Sequence, residues 1–441
     1  MNKQKWMQAA LDLGMEGLEI TTARTVSREL TWFEGKMDTF VNSKILYTSF
    51  RALVEGKIVS VSLEKVDDDK MIETLTQLRD TAQYVSDSEK DIFVGVMETT
   101  EEHSNKVWIE PEASAIQAFL ADLEQRLLAA DPRVKMVNQL GFESVRNESE
   151  LTNSLGVQVQ DGYQMQAVVA DITMVEGEDL RDGYLVRPVY DLASFDVEGF
   201  VQQLIDKVAS TLNAKSCTAR TCPVIFEKEA MSTLLSCFAG MFSGDLIFKG
   251  ISPIATRLNE KVFSDKITMI DDPRNLDAIH MQNYDDEGHP TYKKTLIDQG
   301  VFKTILHNTR SAIKMNAEST GNGFKSGAGA TGVSPMNLYI QQGEASFDDL
   351  LKKMDNGVVI TDLQGMHAGV DFVSGNFSLQ AKGYLVQEGK KVRPLTLITV
   401  AGNFLELLND VQAVGDDLEW QLRSITSPSI LFNKAAIGGN E

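Results

Sequence analysis

The chain has 441 residues, 43% apolar and 24% charged, which is enough material for two or three domains with proper cores. Its 63 acidic and 42 basic residues leave a net charge of −21, which repels phosphate backbones. KKTL at Lys293 and KKVR at Lys390 are isolated pairs, not a basic patch, so the composition argues against nucleic acid as a direct partner.

The first segment, MNKQKWMQAALDLGMEGLEI, has polar residues interrupting its apolar ones and reads as an amphipathic helix over Lys3–Leu13, not a signal peptide. LEITTAR, VSRELTWF, KMDTFVN and ILYTSFRALVEGKIVSVSLE follow with period-two apolar positions, which predicts strands separated by short turns such as Glu55-Gly56. A helix over Asp67–Val85 opens on three aspartates that suit its N-terminal dipole. The next, EPEASAIQAFLADLEQRLLAA, places Pro111 in its first turn and carries a stripe of Ile116, Phe119, Leu120, Leu123 and Leu127. Strands return over Lys135–Val145, Gly156–Val175 and Gly183–Val189, and the helix DVEGFVQQLIDKVASTL closes this half. Strands joined by tight turns imply antiparallel pairing, so residues 1–213 are expected to form an α+β domain of helices on a mostly antiparallel sheet.

Residues 214–441 are expected to form a β-rich domain with one helix packed at its start. That helix contains TLLSCFAGMFSGD, Thr233 to Asp245, with Met231, Leu234, Leu235, Phe238 and Phe242 on one face. A second row, Ser232, Ser236, Gly240 and Ser243, carries almost no side chain. Strand-like runs follow, with hairpin signals at TLID-QG-VFKT and YLVQ-EG-KKVRPL.

Few motifs carry chemistry on their own. GAGATG, Gly327 to Gly332, matches the dinucleotide fingerprint, but no strand precedes it and no helix follows, so it reads as a glycine-rich loop beside a cleft. YDDEGHP gathers Asp285, Asp286, Glu287 and His289, which could hold a divalent metal or could form an ordinary turn whose acids cap free amides. His307 and His367 stand alone and read as structural donors. The three cysteines, Cys217, Cys222 and Cys237, lack zinc spacing and suit a reducing compartment, and Cys237 on an apolar helix is expected to be inert. No apolar run of about eighteen residues occurs, so a cytoplasmic location is expected.

Five segments in fixed order resemble one family: DDEGHPTYKKTLIDQGVFKTILHN, STGNG, SPMNLYI, SGNFSLQAKGYLVQEGKKVRPLTLITVAGN and AVGDDLE. This is the TldD/PmbA family, classed as zinc metallopeptidases and also named modulators of DNA gyrase. The resemblance runs over essentially the whole chain and is most specific from Gly244 onward. It implies a heteromeric peptidase in which the TldD branch holds zinc through His-Glu-x-x-x-His on this helix, with a cysteine near the C-terminus as third ligand. The histidines would hold the metal, and the glutamate would take a proton from its bound water. Counting back from Gly244-Asp245, the motif positions hold Leu235, Ser236 and Gly240, and no cysteine follows Cys237.

The resemblance is therefore to the PmbA (TldE) branch, in which the motif is absent. It implies a non-catalytic partner that binds no cofactor itself, pairs with a zinc-bearing TldD-like subunit, and helps form a cleft for unfolded peptides. Asp285, Asp286, Glu287, His289, Thr320, Gly321, Asn322 and Asn337 are the cleft candidates, and a homodimer is the alternative assembly when the partner is absent. Two other readings stand beside it. One is a self-sufficient metal-dependent hydrolase using Asp285, Asp286 and His289; the other is a protein-binding modulator of a nucleic-acid enzyme.

Overall fold

The computed structural model describes residues 1–85, 92–97, 106–325, 331–420 and 422–440, and its fold is α+β. Four residues of the GAGATG segment, Gly327 to Ala330, lie outside the described set; Thr331 and Gly332 sit in a short strand paired with Gly323–Lys325.

The N-terminal strands are longer than the sequence breaks suggest. LEITTAR and VSRELTWF are one strand, β1 (Gly17–Phe33), and KMDTFVN continues through ILYTSFRALV as β2 (Lys36–Val54). The reversal that the pattern missed is Glu34-Gly35, whose φ values of 49° and 76° repeat the hairpin chemistry of Glu55-Gly56 at 51° and 74°. After β3 (Lys57–Leu63) come β4 (Val134–Asn153), β5 (Gln158–Glu176) and β6 (Asp179–Pro188). All six pair antiparallel in the order β3-β2-β1-β4-β5-β6. β3 pairs with Thr48–Val54, and among the described residues the preceding part of β2 has no strand neighbour on that edge.

Helices cover one face of this sheet. α1 (Lys3–Asp12) and α2 (Met71–Thr81) bury Trp6, Leu75 and Leu78 against Leu18, Ile20 and Phe50. α2 stops at Thr81, flanked by single 3₁₀ turns, so the helix read as Asp67–Val85 is α-helical only in its middle. α3 (Ala113–Ala130) begins after Pro111, which precedes its cap instead of lying in its first turn, and α4 (Val197–Ala209) packs beside it. Their shared core includes Ile116, Leu120, Leu123, Phe142, Ile172 and Leu204. Alternation sends Thr21, Ala23, Tyr47, Ser49, Arg51, Asn147, Asp161 and Tyr163 to the opposite, mostly polar face.

The C-terminal half opens with β7 (Thr218–Phe226), which the sequence pattern did not reveal, and then α5 (Lys228–Phe238). The main sheet runs from 357–364 through β7 to 430–440, 390–403 and 376–387, which pairs back onto 357–364 and closes a five-strand ring. A smaller sheet holds β8 (Met269–Asp271), β9 (Lys294–Asp298), and the strands 301–302, 338–340 and 425–426. Both expected hairpins form, with Gln299-Gly300 and Glu388-Gly389 at positive φ. One large core joins α5 to these two sheets.

Candidate functional site

α5 buries Ala230, Met231, Leu234, Leu235 and Phe238, and the Phe238 ring stacks on Phe404 with centroids 4.4 Å apart. The expected bare row does not stay together. The chain tightens to a 3₁₀ turn at Ala239–Phe242, which changes the angular step per residue and turns Ser243 inward. Ser232 is also buried: its hydroxyl donates to Lys228 O and accepts from Ser427 N–H. The side chains left toward the surface are Thr233, Ser236 and Cys237, and Gly240 lies beside them.

The three motif positions have different surroundings. Leu235 is fully buried in the main core. Ser236 is exposed, and its hydroxyl donates to Thr233 O at 2.7 Å. A Cβ on Gly240 would stand 3.3 Å from Leu246 Cδ1 and 3.4 Å from Phe372 Cε2. Burial pushes the Cys237 thiol above its ordinary pKa, as expected for an inert cysteine.

The Asp285–His289 segment is a tight turn whose acids serve backbone amides. Asp285 Oδ1 accepts the N–H groups of Glu287 and His289 at 3.0 and 2.9 Å, and its Oδ2 accepts Gly323 N–H at 2.9 Å. Burial, reinforced by the Glu287 charge, pushes the Asp285 carboxyl well above its ordinary pKa. Glu287 Oε2 accepts both the N–H and the hydroxyl of Thr309, at 2.7 and 2.6 Å. With that hydroxyl committed, His289 Nε2, 3.0 Å from Thr309 Oγ1, is the donor in its own pair. Burial lowers the His289 pKa to about 4, so the ring is neutral at pH 7. Asp286 Oδ2 accepts Lys325 N–H at 2.7 Å. Among the described residues no three His, Cys, Asp or Glu side chains are arranged to hold a metal ion.

This turn is fastened to the N-terminal sheet. Asp161 Oδ2, on the polar face of β5, accepts the N–H groups of Asn283 and Tyr284 at 2.7 and 3.1 Å. Gly288, at φ +88°, lies where a Cβ would come 3.1 Å from Val157 Cγ1.

Thr320, Gly321, Asn322 and Asn337 sit in the interior around a buried ion pair. Asp271 on β8 lies across from Lys294 on β9, with Nζ 3.3 Å from Oδ2 and the two side chains 0% and 2% exposed. Asn322 Nδ2 donates to the same Oδ2 at 2.8 Å, Met336 N–H donates to Oδ1 at 2.6 Å, and Lys294 donates to Thr320 O at 3.0 Å. Thr320 Oγ1 donates to Asn322 Oδ1, and Asn337 Nδ2 donates to His280 O. Burial raises the Asp271 pKa and lowers that of Lys294. Asp271 and Lys294 were missed because each reads as one of a charged doublet, Asp271-Asp272 and Lys293-Lys294.

Two cavities border these elements. One, about 720 Å³, lies between β6, α4 and the segment around Glu419 to Arg423, and Arg423 reaches Thr233 on α5. The other, about 770 Å³, lies between the polar face of the N-terminal sheet and the C-terminal half. Of the cleft candidates only Asp286 and Glu287 line the second cavity. Its other charged groups, Arg51, Asp161, Arg310 and Lys325, were not singled out from the sequence.

Residues 219–439 match the family model described as the PmbA/TldA metallopeptidase C-terminal domain. Two curated relatives come from Buchnera aphidicola subsp. Acyrthosiphon pisum. A metalloprotease PmbA homolog is 29% identical over 259 residues, covering 59% of this chain and 55% of that protein. A metalloprotease TldD homolog is 32% identical over 211 residues, covering 47% and 43%. The chain thus spans only about half the length of each. A solved structure from Thermotoga maritima, described as a candidate modulator of a DNA gyrase, superposes with a TM-score of 0.88 at 28% identity, over 99% of both chains. No helix among the described residues is long and apolar enough to cross a membrane. The match over half of its length makes this chain a member of the PmbA/TldD family.

Proposed function

We propose that this chain is a PmbA/TldE-type subunit that holds no zinc and completes the peptide cleft of a zinc-bearing TldD-type partner in the cytoplasm. The observation that carries the reading is the set of side chains on α5. Leu235 is core, Ser236 is a short hydroxyl already bonded to its own helix, and Gly240 is backed by Phe372 and Leu246. None offers a nitrogen or carboxylate to a metal, so these residues do not fit zinc. Relatives named for both branches in one organism are in keeping with a pair of unlike subunits. In this reading residues 1–213 form one unit and 214–441 the other, with the degenerate helix at the start of the second.

Self-sufficient metal-dependent hydrolysis through Asp285, Asp286 and His289 gains no support, because these acids are engaged by backbone N–H groups and the His289 Nε2 by Thr309. The deciding experiment is a pull-down of the full chain from native extract, with zinc measured in the eluate and in the separated subunits. Zinc is expected in a co-purifying subunit, with proteolysis only by the mixture. Stoichiometric zinc or peptidase activity in this chain alone overturns the reading, and size-exclusion of the isolated chain reads whether it self-associates.

A further inference from the structure

The first part of β2 is an open sheet edge. β3 pairs with β2 from Thr48 onward, and among the described residues no strand lies beside Lys36–Tyr47 on that side. Backbone N–H and C=O groups point outward along such an edge and can pair with another strand. The edge is held in place: Glu124 Oε2 on α3 accepts Trp32 Nε1–H at 2.8 Å and the Gly35 N–H at 3.1 Å, which fixes the turn that begins β2. Its side chains are apolar for an open edge, with Met37, Phe40, Val41, Ile45, Leu46 and Tyr47 each 39–50% exposed. Val41, Ile45 and Tyr47 stand on the polar face of the sheet, and Met37, Phe40 and Leu46 on the face that carries the helices. What joins them is the edge itself, which separates the two faces.

Two copies can fill this edge completely in one register. Asp38 is bulged out between Met37 and Thr39, so the edge has eleven ladder positions, Lys36, Met37 and Thr39–Tyr47, with Asn42 in the middle. Two-fold pairing of the edge with itself is antiparallel and puts Asn42 opposite Asn42. A shift in one direction drives the second copy's Lys36 into Leu63, which already stands beside Thr48. A shift in the other leaves Tyr47 facing the Glu34-Gly35 turn. The register follows from the length of the edge alone, and the pairs it brings together on each face are complementary. Met37 meets Leu46, Thr39 meets Ile45, and Val41 meets Ser43. Lys44 comes beside the Phe40 ring of the other copy and Lys36 beside its Tyr47, each a cation against an aromatic group. Asn42 faces Asn42, two amides that can bond to each other. No like charges are opposed.

We propose that the isolated chain forms a two-fold dimer in which the free edges of β2 join the two N-terminal sheets into one, with Asn42 on the axis. The pairing uses the outward backbone groups and covers the six apolar side chains of each copy. It also closes on itself, so it does not propagate into a fibre. The dimer goes beyond the subunit reading above and does not rest on it.

The test uses the purified full chain with no partner. Sedimentation over a range of concentrations is expected to show a monomer–dimer equilibrium. Ile45→Lys combined with Leu46→Lys puts a charge on each face of the edge and is expected to weaken the dimer at least about tenfold. Both side chains are half exposed, so the fold is expected to tolerate the change. Under mild oxidation Asn42→Cys is expected to cross-link, since directly opposed residues lie within about 5.5 Å, inside disulfide reach. Lys44→Cys is expected not to, because Lys44 stands opposite Phe40 and so about 13 Å along the strand from its own counterpart. The unaltered protein, with Cys217, Cys222 and Cys237 all in the C-terminal half, is the blank. If the double lysine variant melts early, the two cysteine variants decide. A monomer at every concentration overturns the proposal, whether the edge then stays bare or takes a strand from an unlike subunit. So does a dimer that survives the double lysine change in a folded protein, or one that cross-links through Lys44→Cys and not through Asn42→Cys. Because no zinc or proteolysis is read, failure here leaves the subunit role standing, and failure of the pull-down leaves this dimer standing.

Discussion

Phe372 lies against Gly240, and a Cβ added to the glycine would touch its ring at 3.4 Å and the tip of Leu246 at 3.3 Å. That contact makes the absence of the metal motif a matter of packing as well as of residue identity. Phe372 also lies 6.4 Å, centroid to centroid, from Phe238, which ties this contact to the edge of the core.

Installing the motif is therefore expected to fail. The variant Leu235→His, Ser236→Glu, Gly240→His buries a polar ring where Leu235 is fully enclosed, which should cost about 3 kcal/mol or more. Chemical denaturation should show a lowered midpoint, and metal analysis should show no stoichiometric zinc. Tight zinc binding with unchanged stability would show that the site is dormant, not dismantled.

The Asp271–Lys294 pair yields a second expectation. Lys294→Met leaves a fully buried carboxyl without its cation and should destabilise by about 3–5 kcal/mol if that carboxyl stays charged. Asp271→Asn combined with Lys294→Met should cost less than the sum of the single changes, because neither charge is then left alone. Additive costs in a double-mutant cycle would mean that the two groups are not coupled.

His289 sets a pH dependence whose sign follows from its shift. Its folded pKa of about 4 lies below the ordinary histidine value of 6.5, so its contribution is fully present above pH 6.5 and is lost as pH falls toward 4. The full span corresponds to about 3 kcal/mol, at about 1.4 kcal/mol per unit. Asp285 and Glu287 act in the opposite direction, since burial raises both and favours their protonated forms in the fold. His289→Gln keeps a donor toward Thr309 and removes the titration, so the loss of stability between pH 6.5 and 4 should become shallower. An identical acid limb in the variant would assign that loss to other groups.

Much of the fold was legible because it depends on local alternation and turn chemistry. Glu55-Gly56, Gln299-Gly300 and Glu388-Gly389 each announce a hairpin, and each forms one. β7 and the final strand 430–440 were missed because they pair with partners far away in sequence, and no local signal encodes that closure. The Asp285–His289 cluster was visible as residues but ambiguous as chemistry. Its meaning depends on Gly323, Lys325 and Thr309, whose amides are brought to it only by the fold. Lys325 was passed over as part of a glycine-rich run, since its place in the cavity wall beside Asp286 and Glu287 is set only by the fold.

The two N–H groups of Asn283 and Tyr284 on Asp161 fasten the C-terminal half to the N-terminal sheet at the cavity rim. Two charge-assisted bonds to one carboxylate oxygen resist the sliding of one wall over the other. The space beside them should keep one shape whether full or empty, as a mould does, and a guest that fits it would not have to close a jaw to be held.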